Sequence, residues 1–263
     1  MVPSNARHQK ILEYISAHEH ASVVELSRQF AVTEVTIRTD LKALAKTGRV
    51  ARTHGGARLV EERFRQEYTF QTRKHLNWPV KQRIGSAAAT LVDPTDFILL
   101  DSSTTALAMA NALERRTDLK DVTAIPTGIW TATALMGSPL IHVLLPSGYL
   151  RHTSGSITGL PSKDFFSDLI IQKAFLGAWG VSCDHGLTDT HLLEIDLKKN
   201  IIGRVKEVIV LVDGSKFHQS GIASYASIDQ ISTIVTDTTA PAEELRRIQQ
   251  RGIRIVIANQ HQS

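Results

Sequence analysis

Apolar residues recur at helical spacing through the first sixty positions, and from position 97 onward they gather into short runs. Three amphipathic segments come first. Residues 7–18 carry Ile11, Leu12 and Ile15. Residues 23–30 carry Val24, Leu26 and Phe30, with Ser22 placed to cap the start. A short turn at Ala31-Val32 leads to Thr33, a good cap for a third helix through Ala45. Two helices joined by so short a turn predict a helix-turn-helix. Gly48 then ends the helix, residues 50–53 are strand-like, and Gly55-Gly56 makes a tight turn, so a β-hairpin wing follows.

Beyond position 97, strand-like runs at 97–101, 122–126, 141–145, 174–178, 208–213, 231–236 and 253–258 alternate with helical patterns. The helical patterns cover 104–114, 128–136, 159–169, 190–203 and 241–251. This alternation predicts an α/β fold, a mostly parallel sheet covered on both faces. The expected organisation is a winged helix-turn-helix over 1–58, a linker over 59–79 and an α/β domain over 80–263. Charges of both signs alternate along the linker, which suits an exposed helix or extended chain. Tyr68, Phe70 and Trp78 argue against full disorder and are expected to dock on a neighbouring domain. Pro79 opens a helix over 80–91, ended by a turn at Asp93-Pro94-Thr95-Asp96.

Composition narrows the class. The chain has 263 residues, 42% hydrophobic and 21% charged, as ordinary folded domains do. No apolar run approaches the roughly 18 residues of a membrane span, and residues 1–10 lack the apolar core of a signal peptide. The single cysteine, Cys183, excludes an internal disulfide framework and a cysteine-based zinc cluster. A cytoplasmic location without membrane contact is expected.

The net charge of +4 is concentrated. Residues 33–58 hold six basic side chains against two acidic ones, so the rest of the chain is balanced. On the third helix, Ile37, Leu41 and Leu44 define a buried face. The opposite face carries Val35, Thr39 and Lys42, flanked by Thr36 and Arg38. Arginine can pair with guanine, threonine with base edges or phosphate, and valine with a thymine methyl. Arg49, Arg52 and His54 of the wing would lie against the DNA backbone or minor groove. Asp40 sits near the buried edge and reads as a structural pairing residue. A solvated charged face is the plain alternative, but helix, turn, helix and basic wing in order favour DNA.

In parallel sheets, ligands sit beyond the C-terminal ends of strands. There the sequence offers Asp101-Ser102-Ser103-Thr104-Thr105, then Thr127-Gly128, then Gly148, Arg151, Ser154, Gly155 and Ser156. Trp179, Gly180 and Thr188 follow, and Asp213, Ser215 and Lys216 after those. Hydroxyls, glycines and isolated cations at one sheet edge suit a small polyhydroxylated anion. A helix N-terminus at 104 adds free N–H groups and a favourable dipole, although a Ser/Thr cluster before a helix is often only a cap.

The run "VTEVTIRTDLKALAKTGRVARTHGGA" resembles the DNA-binding module of the DeoR family of bacterial sugar-metabolism regulators, matching at Thr36, Ile37, Arg38, Asp40, Leu41, Arg52, Gly55, Gly56 and Ala57. It departs at Thr39, where a second arginine usually stands. Residues 68–259 resemble the same family's sensor half, whose fold is related to ribose-5-phosphate isomerase and the CoA transferases. The matching motifs are Lys81, "LDSSTT", "LPSGYLR", "GAWG…GLTD", "EIDLKKNII" and "VDGSKF". The resemblance implies phosphate binding at Ser102, Ser103, Thr104 and Thr105. It also implies sugar contacts from Asp101, Thr127, Gly148, Arg151, Glu194, Lys198 and Lys216. Trp179 stands where an aspartate is usual and could stack on a sugar ring or narrow the pocket; Ser147 replaces a frequent glycine.

Two functions from different classes follow. A regulator, expected to repress a carbohydrate catabolic operon, would bind operator DNA as a homo-oligomer, a dimer or higher, and respond to a phosphorylated sugar. An isomerase with an accessory DNA module is the alternative, but the acid position in "GAWG" is a tryptophan, and a general base must reach its proton. His185 and His191 match no metal motif. No catalytic residue, metal or cofactor is expected.

Overall fold

The computed structural model describes residues 7–8, 10–12, 14–15, 20–46, 50–53, 55–59, 69–159 and 165–259. The chain divides into two compact units, Met1–Thr72 and Arg73–Ser263.

The first unit carries the helices Val23–Phe30 and Glu34–Lys46, joined through Ala31 in the left-handed region at φ 50°. Ser22 caps the first of these. Its hydroxyl accepts from the Glu25 N–H at 3.1 Å, and its own N–H donates to the Glu25 carboxylate at 2.7 Å. Such a capping box satisfies two donors at the helix start. Thr33 starts the second, accepting from the Thr36 N–H at 3.2 Å. Ile11, Ile15, Leu26, Ile37, Leu41 and Leu44 close the core between them. The wing strands β2 (Val50–Thr53) and β3 (Gly56–Leu59) pair antiparallel, as the Gly-Gly turn predicts. A third strand, β1 (His20–Ser22), was not foreseen and pairs on the other side of β3. It is too short and polar to give a periodic signal. Gly56 permits that pairing, since a Cβ there would stand 2.2 Å from the Ala21 carbonyl oxygen.

The second unit is built on a seven-stranded, all-parallel sheet. Its strands are β4 (Phe97–Leu100), β5 (Val122–Pro126), β6 (Ile141–Val143), β9 (Ile171–Leu176), β12 (Val205–Leu211), β14 (Thr233–Asp237) and β15 (Arg254–Ala258). All seven predicted runs become strands of it, in the order β15-β14-β12-β9-β4-β5-β6. Alternating side chains feed two cores, as a doubly covered sheet requires. Leu99, Leu176, Val210 and Ile234 pack with Ile195 and Ile201 of the helix Leu192–Ile202. Ile98, Leu100, Phe175 and Val235 pack on the other face with Ile84 and Met109 of the helices Trp78–Ala89 and Thr104–Glu114. The helices Ile129–Leu135 and Ala242–Gln249 fall within their predicted spans.

The departures are local. The helix expected over 80–91 begins at Trp78, with Pro79 in its first turn, and a short helix Phe70–His75 precedes it. Residues 160–164 of the pattern at 159–169 lie outside the described residues. The strand pattern does not mark the hairpin of β7 (Tyr149–Leu150) and β8 (Ile157–Thr158). Nor does it mark the antiparallel sheet of β10 (Gly180–Ser182), β11 (Gly186–Asp189) and β13 (Ala223–Ala226). These strands are two to four residues long and rich in Gly, Ser and Thr, so nothing apolar repeats in them.

Candidate functional site

In the first unit, the exposed side of the helix Glu34–Lys46 presents Val35, 70% exposed, with Arg38, Thr39 and Lys42 exposed beside it and Thr36 half-buried. Thr39 turns its hydroxyl back to the Val35 carbonyl at 3.0 Å, and Arg38 reaches Glu34 one turn earlier at 2.9 Å. Asp40 points away from this face. It accepts from Arg7 Nε at 2.6 Å and Nη2 at 3.1 Å, and lies 2.9 Å from His8 Nε2. Burial alone would raise its carboxyl, but the hydrogen bonds from Arg7 and His8 outweigh that and hold it below the usual carboxylate range. The expected pairing role of Asp40 is therefore realised. Arg49 and His54 lie outside the described residues, as does the side chain of Arg52.

In the second unit, the chain leaves β4 in both directions: β5 lies on one side and β9 on the other. Such a reversal opens a crevice beyond the strand ends. Asp101, 2% exposed, stands directly beyond the end of β4. Its Oδ1 accepts from the Ser103 N–H at 2.9 Å and its Oδ2 from the Gly177 N–H, beyond β9, at 2.7 Å. Ser103 caps the following helix, accepting from the Ala106 N–H at 3.0 Å, so the plain reading of "DSSTT" holds for that residue. Thr104 and Thr105 are buried in the first turn. Close packing shapes the crevice: a Cβ on Gly128 would lie 2.8 Å from Ser102 Cα, and one on Gly177 2.6 Å from Ser103 Cβ. Thr127 is held against β4 and β8 through its backbone, donating to Leu100 and accepting from Ile157.

Three clusters meet this edge. In the first, Glu194 accepts from Arg151 at 2.6 Å, from Ser156 at 3.0 Å and from Ser102 at 3.1 Å. In the second, Lys198 lies one helical turn beyond Glu194. Its ammonium bonds Asp189 and the Gly177 carbonyl, both at 2.8 Å, lies 3.2 Å from Asp101 and sits 4.9 Å from the centre of the Tyr225 ring. Burial would lower the Lys198 amine, but Asp189 and Asp101 outweigh it and keep it charged well above its ordinary range. The Tyr225 phenol, pushed up by burial, donates to the Gly177 carbonyl at 2.9 Å. In the third, Lys216 lies over Trp179 at 4.9 Å from the ring centre, a cation–π distance. Nearby in charge, Lys81 donates to the Arg73 and Leu76 carbonyls at 2.7 Å each. Burial, helped by Lys216 and Arg73 and opposed by Asp213, lowers its amine to about 8.

The structure thus joins Ser102, Arg151 and Glu194 in one set of contacts and Asp101, Ser103 and Lys198 in another, and separately pairs Trp179 with Lys216. Gly148 stands at the turn before β7 with φ 154° and makes none of these bonds. Tyr225 escaped the sequence reading: a lone tyrosine in "ASYAS" carries no motif. The chemistry of the cluster favours holding over turnover. A lysine kept protonated and a carboxylate already holding three donors are poorly placed for general-base work. Among the described residues, no group of three or more His, Cys, Asp or Glu side chains could hold a metal, and no helix is long and apolar enough to cross a membrane.

Comparison with known proteins agrees along the chain. Residues 7–63 match the DeoR-like helix-turn-helix domain and residues 77–238 the DeoR C terminal sensor domain. A transcriptional regulator of Listeria innocua, GolR, is 32% identical over 96% of this chain and 98% of its own. The glycerol-3-phosphate regulon repressor of Escherichia coli is 29% identical over 95% and 97%. Ribose 5-phosphate isomerase A from Methanocaldococcus jannaschii aligns at 22% identity and a TM-score of 0.40, over 54% of this chain and 55% of that one. With both halves matched in order, the chain belongs to the DeoR family of helix-turn-helix transcriptional regulators and is a regulator, not an enzyme.

Proposed function

We propose that this regulator represses a carbohydrate catabolic operon and that a phosphorylated sugar, bound beyond the ends of β4 and β9, changes its affinity for operator DNA. The observation that carries the reading is the meeting of Asp101, Ser102, Arg151 and Lys198 at the reversal point of the sheet, with Trp179 and Lys216 beside it. Ser102, Ser103, Thr104, Thr105, Arg151 and Lys216 would take the phosphate; Asp101, Thr127, Gly148, Trp179, Glu194 and Lys198 would frame the sugar. Charge-assisted hydrogen bonds to a dianion are about twice as strong as neutral ones. Relatives named as a putative aga operon repressor and a glycerol-3-phosphate regulon repressor support the effector class.

On the DNA side, Val35, Thr36, Arg38, Thr39 and Lys42 would enter the major groove while Arg49, Arg52 and His54 contact the backbone from the wing. Two or more copies would engage paired half-sites. The test is a thermal-shift screen of sugars and their phosphates, followed by mobility shift on the operator. A phosphorylated sugar is expected to stabilise the protein and alter operator binding while its unphosphorylated parent does neither, and Lys216→Ala is expected to blunt the response. Equal binding of the free sugar removes the phosphate assignment.

A further inference from the structure

Ser102 and Ser156 are 5% and 1% exposed, and both turn their hydroxyls onto one carboxylate oxygen each of Glu194. Arg151 completes the set on Oε1, with side-chain exposures of 13% for the arginine and 12% for the glutamate. Ser154 lies 2.8 Å from the Ser156 hydroxyl and can donate to it, which turns the Ser156 proton toward Glu194. The donors come from two separate places: Ser102 from the loop after β4, and Arg151 and Ser156 from the turn that joins β7 to β8. The anion comes from the first turn of the helix Leu192–Ile202. Two hydroxyls and a guanidinium gathered on one oxyanion make an anion-binding cradle, and here the cradle is filled by the chain's own carboxylate.

We propose that Glu194 is a built-in competitor, an internal anion that occupies this cradle in the ligand-free regulator and must leave for the anionic group of the effector to enter. The inference rests on the effector site argued above and assigns Glu194 the opposite role to a sugar contact. A phosphate monoester outcompetes it by charge and by donor count: it carries close to two negative charges near neutral pH and three acceptor oxygens, against one charge and two oxygens. Apparent affinity is then the intrinsic affinity scaled by the fraction of molecules in which Glu194 has left. Displacement also cuts the tie between the loop after β4 and the start of this helix. Lys198, one turn further along the same helix, keeps its grip on Asp101 and Asp189. The exchange therefore frees one turn and leaves the rest of the helix anchored.

The experiment is isothermal titration calorimetry of the full chain with inorganic phosphate as the probe. Glu194→Gln keeps the shape and removes the charge, and is expected to bind phosphate at least about tenfold more tightly than the wild type. Glu194→Asp withdraws the carboxylate by one methylene and is expected to fall between. Adding Arg151→Met to Glu194→Gln is expected to erase the gain. Ligand-free Glu194→Gln should also melt lower than wild type and regain more on adding phosphate, which reports the same competition by a second readout. Equal or weaker phosphate binding in Glu194→Gln, or binding by neither protein, overturns the proposal. The outcomes separate from those of the sugar screen. A gain in Glu194→Gln with a negative screen keeps the competitor and removes the effector class; a positive screen without the gain does the reverse.

Discussion

Asp40→Asn tests how the helix Glu34–Lys46 is held. Asp40 is 3% exposed and receives two hydrogen bonds from Arg7 and one contact from His8, all reaching it from the start of the chain. The amide keeps the volume but loses the charge and turns a donor toward the guanidinium. Hydrogen bonds to charged groups contribute about 1.5–3 kcal/mol each but do not add. Arg7 keeps some access to water, with a side chain 11% exposed, so the loss is set at about 2–3 kcal/mol. At 1.36 kcal/mol per tenfold, protection of the amides of this helix should fall roughly 30- to 150-fold. Hydrogen exchange read by mass spectrometry measures this directly, with peptides from 205–258 as the unchanged control. The sign with pH follows from the depressed carboxyl: its contribution is present above the unfolded value near 4 and lost as pH falls through the lower folded value. Wild type and variant should therefore converge in acid. Equal protection at pH 7, or a difference that does not shrink as the pH falls, refutes the anchoring role.

Further expectations follow from the other contacts. Arg38→Ala should weaken operator binding about 5- to 150-fold at fixed salt, the 1–3 kcal/mol of a good base contact, whereas Lys42→Ala should mainly flatten the salt dependence; mobility shift at several ionic strengths separates the two. Lys198→Met leaves Asp101 and Asp189 buried without their cation and should cost about 3–5 kcal/mol in urea unfolding of the second unit. Because the Lys198 amine is raised, its contribution is full below the unfolded value near 10.4 and fades only as pH climbs through the folded one. Gly177→Ala drives a methyl into Ser103 and should abolish the response to effector while operator binding persists.

The large features were legible because they repeat. Runs of Ile, Val and Leu marked all seven strands of the main sheet, and hydroxyl residues ahead of apolar periodicity marked Ser22 and Thr33 as caps. What failed to show was pairing between distant short segments. β10, β11 and β13 are held by registers such as Gly180 with Thr188 and Thr188 with Ser224, in which no residue advertises a strand. The site behaved alike. That Asp101 and Arg151 share one sheet edge followed from the strand ends, whereas Lys198 and Glu194 entered only through the family resemblance, and the seat of Glu194 on Ser102 spans 92 residues and depends on which way one helix faces. Tyr225 reaches the Gly177 carbonyl across 48 residues and could be found only in three dimensions.

The ladder between β4 and β9 continues one step past Leu100, where the Asp101 N–H donates to the Phe175 carbonyl at 3.0 Å. Beyond that point the two halves of the sheet part, and a single side chain takes over from the backbone: the Asp101 carboxylate ties Gly177 on one bank to Ser103 on the other. A seam closed by backbone can only be intact or broken. One fastened by a carboxylate can be retied, since Lys198 already shares that oxygen and an incoming hydroxyl can bid for it at modest cost. Substitution of the few side chains around this fastening would accordingly reshape the end of the seam while the hydrogen-bonded sheet beneath it stays as it is.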